Sequence, residues 1–191
     1  MLSRPQSIRG PTCKLATVSV EIREATNLDS ADIVRVVRAV YDEYGFTWDA
    51  DDYHADLYDP EQFYIRDGGA FFVAGDGAVE GVIGLGVHPL ISGPFGVPVE
   101  HDGRTRVGGT DCSLDRLYVL PESRRKGLGD TLSRAVVERA RRQGRTAMEI
   151  WSDKKFVDAH RLYRRIGGEQ VGERICHDPD QSPEWGLVVR L

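Results

Sequence analysis

A basic glycine turn between a predicted strand and a predicted helix carries the residues best suited to chemistry. Residues 114–119 are predicted to form a strand, and an apolar stripe typical of a helix begins at Leu128. Between them, Gly127 and Gly129 let the backbone approach a ligand, and residues 124–126 add positive charge. Because amides at a helix N-terminus favour anions, the turn is predicted to bind phosphate.

Two common phosphate-binding motifs do not fit this turn. The sequence lacks the G-x-x-x-x-G-K-[ST] of a Walker loop, and Leu132 occupies the third glycine position of the dinucleotide fingerprint G-x-G-x-x-G. On the turn residues alone, a tight strand-to-helix connection without a ligand remains the alternative.

A second motif narrows the choice of ligand. Residues 159–168 read A-x-x-L-Y-x-x-x-G-G, and residues 124–129 read R-x-x-G-x-G after a V-x-P strand end. At this spacing, with a helix and a strand between them, the two motifs resemble the acetyl-coenzyme A signature of the GNAT superfamily of N-acetyltransferases. The resemblance extends over residues 18–191 and is strongest at 114–168.

The resemblance implies a role for each part of the site. The strand containing Leu117 and Val119 would pair with the pantetheine arm, and the Val119 amide would polarise the thioester carbonyl. Tyr163 would protonate the departing thiolate; a core tyrosine is the alternative, because Tyr163 also lies on an apolar stripe. The turn and the start of the helix would hold the pyrophosphate: Arg124, Arg125, Lys126, Gly127, Leu128, Gly129, Asp130 and Thr131.

The implied activity is transfer of an acetyl group from acetyl-CoA to a small-molecule or protein amine by direct attack. A non-catalytic module that binds acetyl-CoA is the alternative. Ser113 stands where many relatives carry a glutamate, so the base is open among Asp111, Asp115, Glu149, His160 and a water chain. Phe156 replaces an asparagine that contacts the coenzyme in relatives.

The elements that position these residues indicate an α/β fold. Alternation predicts a strand at residues 18–23. Further strands are predicted at 70–74, 79–87, 114–119, 146–151, 170–176 and 185–191. Helical spacing predicts helices at 31–44, 128–143 and 159–166 and a short one near 53–57, with 89–110 as an inserted loop or small hairpin. The resemblance adds a GNAT-type acyl-CoA N-acyltransferase fold, whose mixed sheet is mostly antiparallel and flanked by helices.

Length and composition are those of one globular domain, predicted at residues 18–191 after a disordered tail at 1–17. Of 191 residues, 40% are hydrophobic and 29% charged, and no apolar run reaches the ~20 residues of a membrane helix. With no secretory signal at the N-terminus, we expect a cytoplasmic protein without a membrane partner. Three cysteines without C-x-x-C spacing argue against a disulfide framework and a structural zinc site, and the histidine spacing gives no metal motif.

Charge is distributed unevenly along the chain. Residues 39–65 hold eight carboxylates and no Lys or Arg, whereas residues 122–145 hold eight basic residues. In the superfamily fold the acidic stretch lies beside the acceptor cleft, so we expect a cationic amine, with cation–π contacts from Tyr44, Phe46 and Trp48. A solvated acidic surface that only aids solubility is the alternative. With a net charge of −5 no nucleic-acid partner is expected, and homodimers are common in the superfamily.

Overall fold

A seven-stranded sheet with helices on both faces is the centre of the structure, a computed structural model that describes residues 20–191. The sheet contains β1 (Glu21–Glu24), β2 (Ala70–Gly75), β3 (Gly81–Val87), β6 (Cys112–Val119), β7 (Ala147–Asp153), β8 (Glu169–Ile175) and β9 (Pro183–Arg190), and a separate hairpin contains β4 (Pro98–His101) and β5 (Arg104–Val107). The helices are α1 (Ser30–Tyr44), α2 (Leu128–Arg142) and α3 (Val157–Arg165). Short helical turns occupy Asn27–Asp29, Ala55–Leu57, Glu61–Ile65 and Pro121–Ser123. The predicted tail at 1–17 and the start of the predicted first strand lie outside the described residues.

The sheet is mixed and mostly antiparallel. Its strand order is β1-β2-β3-β6-β7-β9-β8, and each neighbouring pair is antiparallel except β6 and β7, which are parallel. The α/β fold class predicted from the sequence is therefore confirmed.

The strongly periodic segments of the sequence form the predicted elements. Helix α1 buries its apolar stripe and ends at Gly45, whose φ of 70° gives the left-handed C-cap that favours glycine. Strand β7 continues to Asp153, past its predicted end, because Ser152 and Asp153 pair with β9 although neither is apolar. The insertion 89–110 contains the β4–β5 hairpin. The turn at Glu61–Ile65 was not predicted, since one helical turn is too short to show a period.

Two hydrophobic cores lie on opposite faces of the sheet. On the α2 face, helices α2 and α3 pack Leu132 and Tyr163 against strand residues such as Ile83. On the α1 face, helix α1 packs Val36 against strand residues such as Val82. Neighbouring strand residues contribute to different cores, as the alternation of side chains along a strand requires.

Strands β6 and β7 part soon after they begin. Cys112 pairs with Met148 and Ser113 with Glu149, and no pairing follows although β6 continues to Val119. From Leu114 onward, no strand of residues 20–191 pairs with the edge of β6 that faces β7. The parting therefore opens a slot through the sheet, lined on one side by backbone groups of β6 that pair with no strand among residues 20–191 and that an extended ligand can bind.

The inserted hairpin is fixed to the α1 face where the slot begins. Glu149, which alternates with core residues of the α2 face, accepts hydrogen bonds from the Arg106 guanidinium and, at 2.7 Å, from the Val107 amide. Arg174 of β8 donates to the Thr105 carbonyl at 3.0 Å. Because Glu149 is also the last β7 residue paired with β6, the hairpin forms a wall beside the opening.

Candidate active site

The turn after β6 presents a row of backbone amides that bind nothing within the described chain. The first bond of α2 runs from the Thr131 amide to the Gly127 carbonyl at 3.0 Å, and the N–H groups of residues 125–130 donate to no acceptor among residues 20–191. Arg125 and Gly127 have positive φ values of 58° and 86°. Such a conformation turns successive amides into an anion-binding nest, and the α2 dipole adds positive potential. The row fits a phosphate group.

The side chains of the turn divide between structural and exposed positions. Arg124 forms two bonds with the Glu43 carboxylate, at 2.9 and 2.5 Å, and donates to the Val119 carbonyl at 3.2 Å. Arg124 therefore ties the turn to α1 and β6 rather than serving as the mobile charge that the sequence predicted. Arg125 and Lys126 are exposed and remain available to an anion.

The side chains at the start of α2 bond to other groups of the same turn and helix. The Asp130 carboxylate pairs with Arg134 at 2.7 Å, and the Thr131 hydroxyl donates to the Gly127 carbonyl at 3.0 Å. In Asp130, the group that remains available to donate a hydrogen bond to a phosphate is therefore the backbone amide. The assignment of Leu128 to the site also rests on its amide, since its side chain is buried in the core.

Gly129 lies where three elements meet. A Cβ added at this position would stand 3.4 Å from Leu162 Cδ2 of α3 and 3.9 Å from Val119 Cγ2 of β6. The end of the slot, the start of α2 and helix α3 are therefore in contact around this glycine. A ligand that runs from the slot to the amide row must pass this point.

The free edge of β6 is open to solvent although the strand is central. Residues 115–119 are all partly exposed, whereas residues 81–85 of the neighbouring strand β3 are buried. The Leu120 amide donates to the Glu80 carbonyl beside β3 at 2.9 Å. Because successive amides of a strand point to opposite sides, the Val119 amide points toward the slot, as its predicted role requires.

Tyr163 lies on the face of the sheet that carries α2 and α3. Its ring packs in the α2-face core and is 5% exposed. The pKa of Tyr163 is raised, first by burial and then by Tyr118, Asp115 and Glu184. Leu162, the residue before Tyr163 on α3, lies beside Gly129 at the end of the slot. A raised pKa keeps the hydroxyl protonated, the form needed in a proton donor.

The structure separates the candidate bases that the sequence left open. Asp111 accepts bonds from the amides of Thr146 at 3.1 Å and Ala147 at 3.2 Å, which fixes the start of β7. Glu149 is engaged by the inserted hairpin. His160 is buried on α3, and this burial lowers its pKa.

Asp115 is the candidate base with the freest carboxylate. It lies on β6 beside the slot, accepts a bond from the Ser113 hydroxyl at 2.7 Å and forms no ion pair with residues 20–191. Burial raises its pKa, although the bond from Ser113 opposes the shift. Ser113, in the position of the glutamate of many relatives, thus orients a carboxylate instead of supplying one.

Sequence reasoning missed a buried ion pair next to Asp115. Arg116 of β6 binds the Asp56 carboxylate through two bonds of 2.8 Å. An arginine inside the predicted strand 114–119 was the available signal, because a buried guanidinium requires a counterion. The sequence did not indicate which of the many carboxylates would supply it.

The aromatic rings at the end of α1 and in the segment after it pack against other rings and cations of the chain. Tyr44 and Phe46 pack on Phe156 of α3, with ring centroids 4.9 and 5.8 Å apart. The ammonium of Lys155 lies 4.5 Å from the Phe46 ring centre, and Arg38 lies 5.4 Å from that of Trp48. Phe156, in place of the asparagine of relatives, thus joins α3 to the segment after α1.

Other features of the described residues point away from this region. An open hollow of about 550 Å³, bounded by Glu24, Asn27, Asp59 and Arg66 among others, contains none of the predicted site residues. Within residues 20–191 no His, Cys, Asp and Glu side chains group as metal ligands do. No helix in that range is long and apolar enough to cross a membrane.

Comparison with known proteins agrees with this geometry. The model of the Acetyltransferase (GNAT) family matches residues 35–168. The chain is 31% identical over 163 residues to the Uncharacterized N-acetyltransferase YjgM of Escherichia coli (strain K12), covering 82% of this chain and 86% of that protein. The chain therefore belongs to the GNAT acetyltransferase family and is an acetyltransferase enzyme.

Solved structures show the same fold. An acetyltransferase of the GNAT family from Staphylococcus aureus Mu50 superposes with a TM-score of 0.70 at 18% identity, covering 91% of this chain and 99% of that chain. The yncA protein of Salmonella typhimurium, solved with its cofactor acetyl-CoA, gives a TM-score of 0.62 at 19% identity, covering 90% and 94%. Acetyl-CoA is the acetyl donor that the family uses.

The amide row gives a direct prediction. In Gly129→Glu the new side chain begins 3.4 Å from Leu162 and carries a carboxylate toward the predicted pyrophosphate position. We expect acetyl-CoA binding to weaken by at least ~2 kcal/mol, measured by calorimetry. The control Gln143→Glu, which adds the same charge just beyond the other end of α2, should bind normally. Unchanged affinity in a folded Gly129→Glu protein would refute the site.

Proposed function

We propose that this enzyme transfers the acetyl group of acetyl-CoA to a primary amine by direct attack of the amine on the thioester. The observation that carries the proposal is the row of unpaired amides at residues 125–130, which continues the free edge of β6. Tyr163 follows Leu162, which lies beside Gly129, and would act from the α2 face. These are the three parts that the reaction needs: an anion site, a backbone edge and a proton donor.

Each part would act on a different portion of the coenzyme. The amides of residues 125–130, with Arg125 and Lys126, would hold the pyrophosphate. The free edge at Leu117 and Val119 would bind the pantetheine arm as an added strand. The Val119 amide, which points toward the slot, would stabilise the negative charge that develops on the thioester oxygen.

The chemical step then balances within the site. The amine nitrogen forms a bond to the thioester carbonyl carbon, and the bond from that carbon to sulfur breaks. Tyr163 gives its proton to the departing sulfur, and Asp115, directly or through water, receives the proton that the amine loses. The products are an N-acetylated amine and coenzyme A, and no covalent enzyme intermediate is required.

The charges of the α1 face support a cationic acceptor. Three arginines of this face are bound to other carboxylates: Arg116 to Asp56, Arg106 to Glu149 and Arg174 to Glu184. Asp115 forms no ion pair within residues 20–191, so its charge is left for the acceptor. The acidic stretch at 39–65 contributes less than its composition suggests, because Glu43 and Asp56 are paired with arginines.

Coenzyme A release across a panel of amines tests the proposed reaction. The panel contains polyamines, aminoglycosides, lysine peptides and neutral amino-acid amides, each at low and high salt. We expect higher kcat/KM for the cationic amines and a smaller advantage at high salt. Equal, salt-independent rates would refute the cationic acceptor. Binding of acetyl-CoA without release for any amine would instead favour a non-catalytic module.

Replacing Tyr163 tests the proton donor. Tyr163→Phe should lower kcat by about 10²–10⁴-fold, because the ring and its packing remain while the proton is lost. Acetyl-CoA affinity should stay close to that of the wild type. Tyr41→Phe is the matched control, since Tyr41 is also 5% exposed but lies in the α1-face core. Wild-type turnover by Tyr163→Phe at every pH would identify Tyr163 as a core residue.

The pH dependence tests Asp115 as the base. Burial raises the Asp115 pKa, so the carboxylate forms only as the pH rises above the ordinary aspartate range. The kcat/KM should therefore increase with pH through that raised pKa, and Asp115→Asn should lose this acid limb. Asp158→Asn, which changes an exposed carboxylate on α3, is the control. A wild-type profile for Asp115→Asn would assign the proton to water or another group.

A further inference from the structure

Strand β6 contains a bulge at the point where the slot opens. Asp115 is opposite Gly84 and Tyr118 is opposite Val82, so Arg116 and Leu117 together face the single residue Ile83 of β3. Arg116 has a φ of 54°, a left-handed conformation that is strained for a residue with a Cβ. The bulge is therefore a feature that neighbouring contacts must hold in place.

The bulge decides which groups of β6 face the slot. Leu114, Leu117 and Val119 all contribute to the α2-face core, and Tyr118 contributes to the α1-face core. A regular strand would place residues 114 and 117 on opposite faces. The extra residue shifts the alternation by one, which sends the side chain of Val119 to the α2 face.

The side chain of Arg116 connects the bulge to the segment after α1. Its guanidinium forms two bonds of 2.8 Å with the Asp56 carboxylate, donates to the Tyr53 carbonyl and lies 4.7 Å from the Tyr53 ring centre. The Arg116 and Asp56 side chains are 13% and 14% exposed. A bidentate pair of this kind fixes orientation as well as distance.

Asp56 is itself held firmly. Its Oδ2 also accepts the Tyr64 hydroxyl at 2.7 Å, and the adjacent Leu57 is fully buried in the α1-face core. The Tyr64 ring lies over Gly84, where an added Cβ would approach the ring to 2.7 Å. Gly84 is the β3 residue opposite Asp115. The contacts of Asp56 therefore reach the bulge through Arg116 of β6 and, by way of Tyr64, through Gly84 of β3.

We propose that the Arg116–Asp56 pair is a positioning element that holds the β6 bulge and thereby aims the Val119 amide into the slot. The inference rests on the proposed function of that amide at the thioester. Neither side chain of the pair needs to contact the substrate. Loss of the pair should relax the bulge and misplace the amide, while the amide row at 125–130 lies beyond the bulge and should keep its hold on the coenzyme.

Asp56→Asn tests the pair because it removes the counterion and keeps the size of the side chain. We expect kcat to fall by about 10- to 100-fold, the effect of a small misplacement of a catalytic group. The KM for acetyl-CoA and the Kd of coenzyme A should change by less than about threefold. Asp29→Asn is the matched control, since Asp29 makes a similar two-bond contact with Arg23 far from the slot. It should lower stability without lowering kcat.

Hydrogen exchange of the apo enzyme supplies a readout that does not depend on activity. Amides of residues 114–119 should exchange faster in Asp56→Asn and at the wild-type rate in Asp29→Asn. Wild-type exchange and kcat in Asp56→Asn would overturn the positioning role. If no amine is acetylated by the wild type, the proposed function fails, and the exchange comparison still decides whether the pair holds the bulge.

Arg116→Gly separates the pair from the backbone conformation. Glycine accepts a φ of 54° without strain, so this variant removes the contact to Asp56 while the bulge conformation stays accessible. Low kcat and fast exchange are expected, and wild-type values would show that the bulge holds itself. Should Asp56→Asn fail to fold, Asp56→Ala combined with Arg116→Gly removes both charges and leaves no buried ion unpaired. The same kinetic and exchange results are expected of it.

Discussion

The early parting of β6 and β7 is the constraint on which the site depends. A strand inside a sheet normally forms backbone hydrogen bonds with a neighbouring strand on each side. Beyond Ser113, β6 no longer pairs with β7. Its free edge requires another partner, water or ligand, because unpaired backbone groups are costly when they are buried. The amides of residues 125–130, in the turn and at the start of α2, need a hydrogen-bond partner for the same reason. Ligand binding by this fold follows from hydrogen bonds that the sheet leaves unmade.

The sequence predicted the features that depend on neighbouring residues. The glycine turn, the apolar stripes of α1 and α2 and the left-handed cap at Gly45 are each encoded within a few positions. The same holds for the amide row at residues 125–130, which comes from one continuous segment and whose binding of an anion stays a prediction. Tyr163 was singled out through its motif and lies in the α2-face core, and its role as a proton donor stays a prediction.

Long-range contacts could not be predicted in the same way. Arg116 and Asp56 are 60 residues apart, and Arg106 and Glu149 are 43 apart. The sequence contains many carboxylates that could pair with each arginine, and the folded arrangement of the elements determines which one does. Among residues 20–191 Asp115 forms no ion pair, because the arginines Arg116 and Arg106 pair with other carboxylates. A charge count over residues 39–65 did not reveal this, since two of its carboxylates neutralise arginines elsewhere.

The inserted hairpin has a further consequence for how such a protein can diversify. Val87 and Cys112 pair directly, so the segment between β3 and β6 leaves and re-enters the sheet at a single rung of the ladder. The closure entropy of a loop rises only slowly with its length, and lengthening or exchanging this segment therefore burdens the sheet little. In its contacts with Glu149 and Arg174 the hairpin contributes the backbone groups of Val107 and Thr105, which a new sequence could also supply. One wall beside the slot can thus be remodelled while the coenzyme end, built from a different stretch of chain, is inherited unchanged.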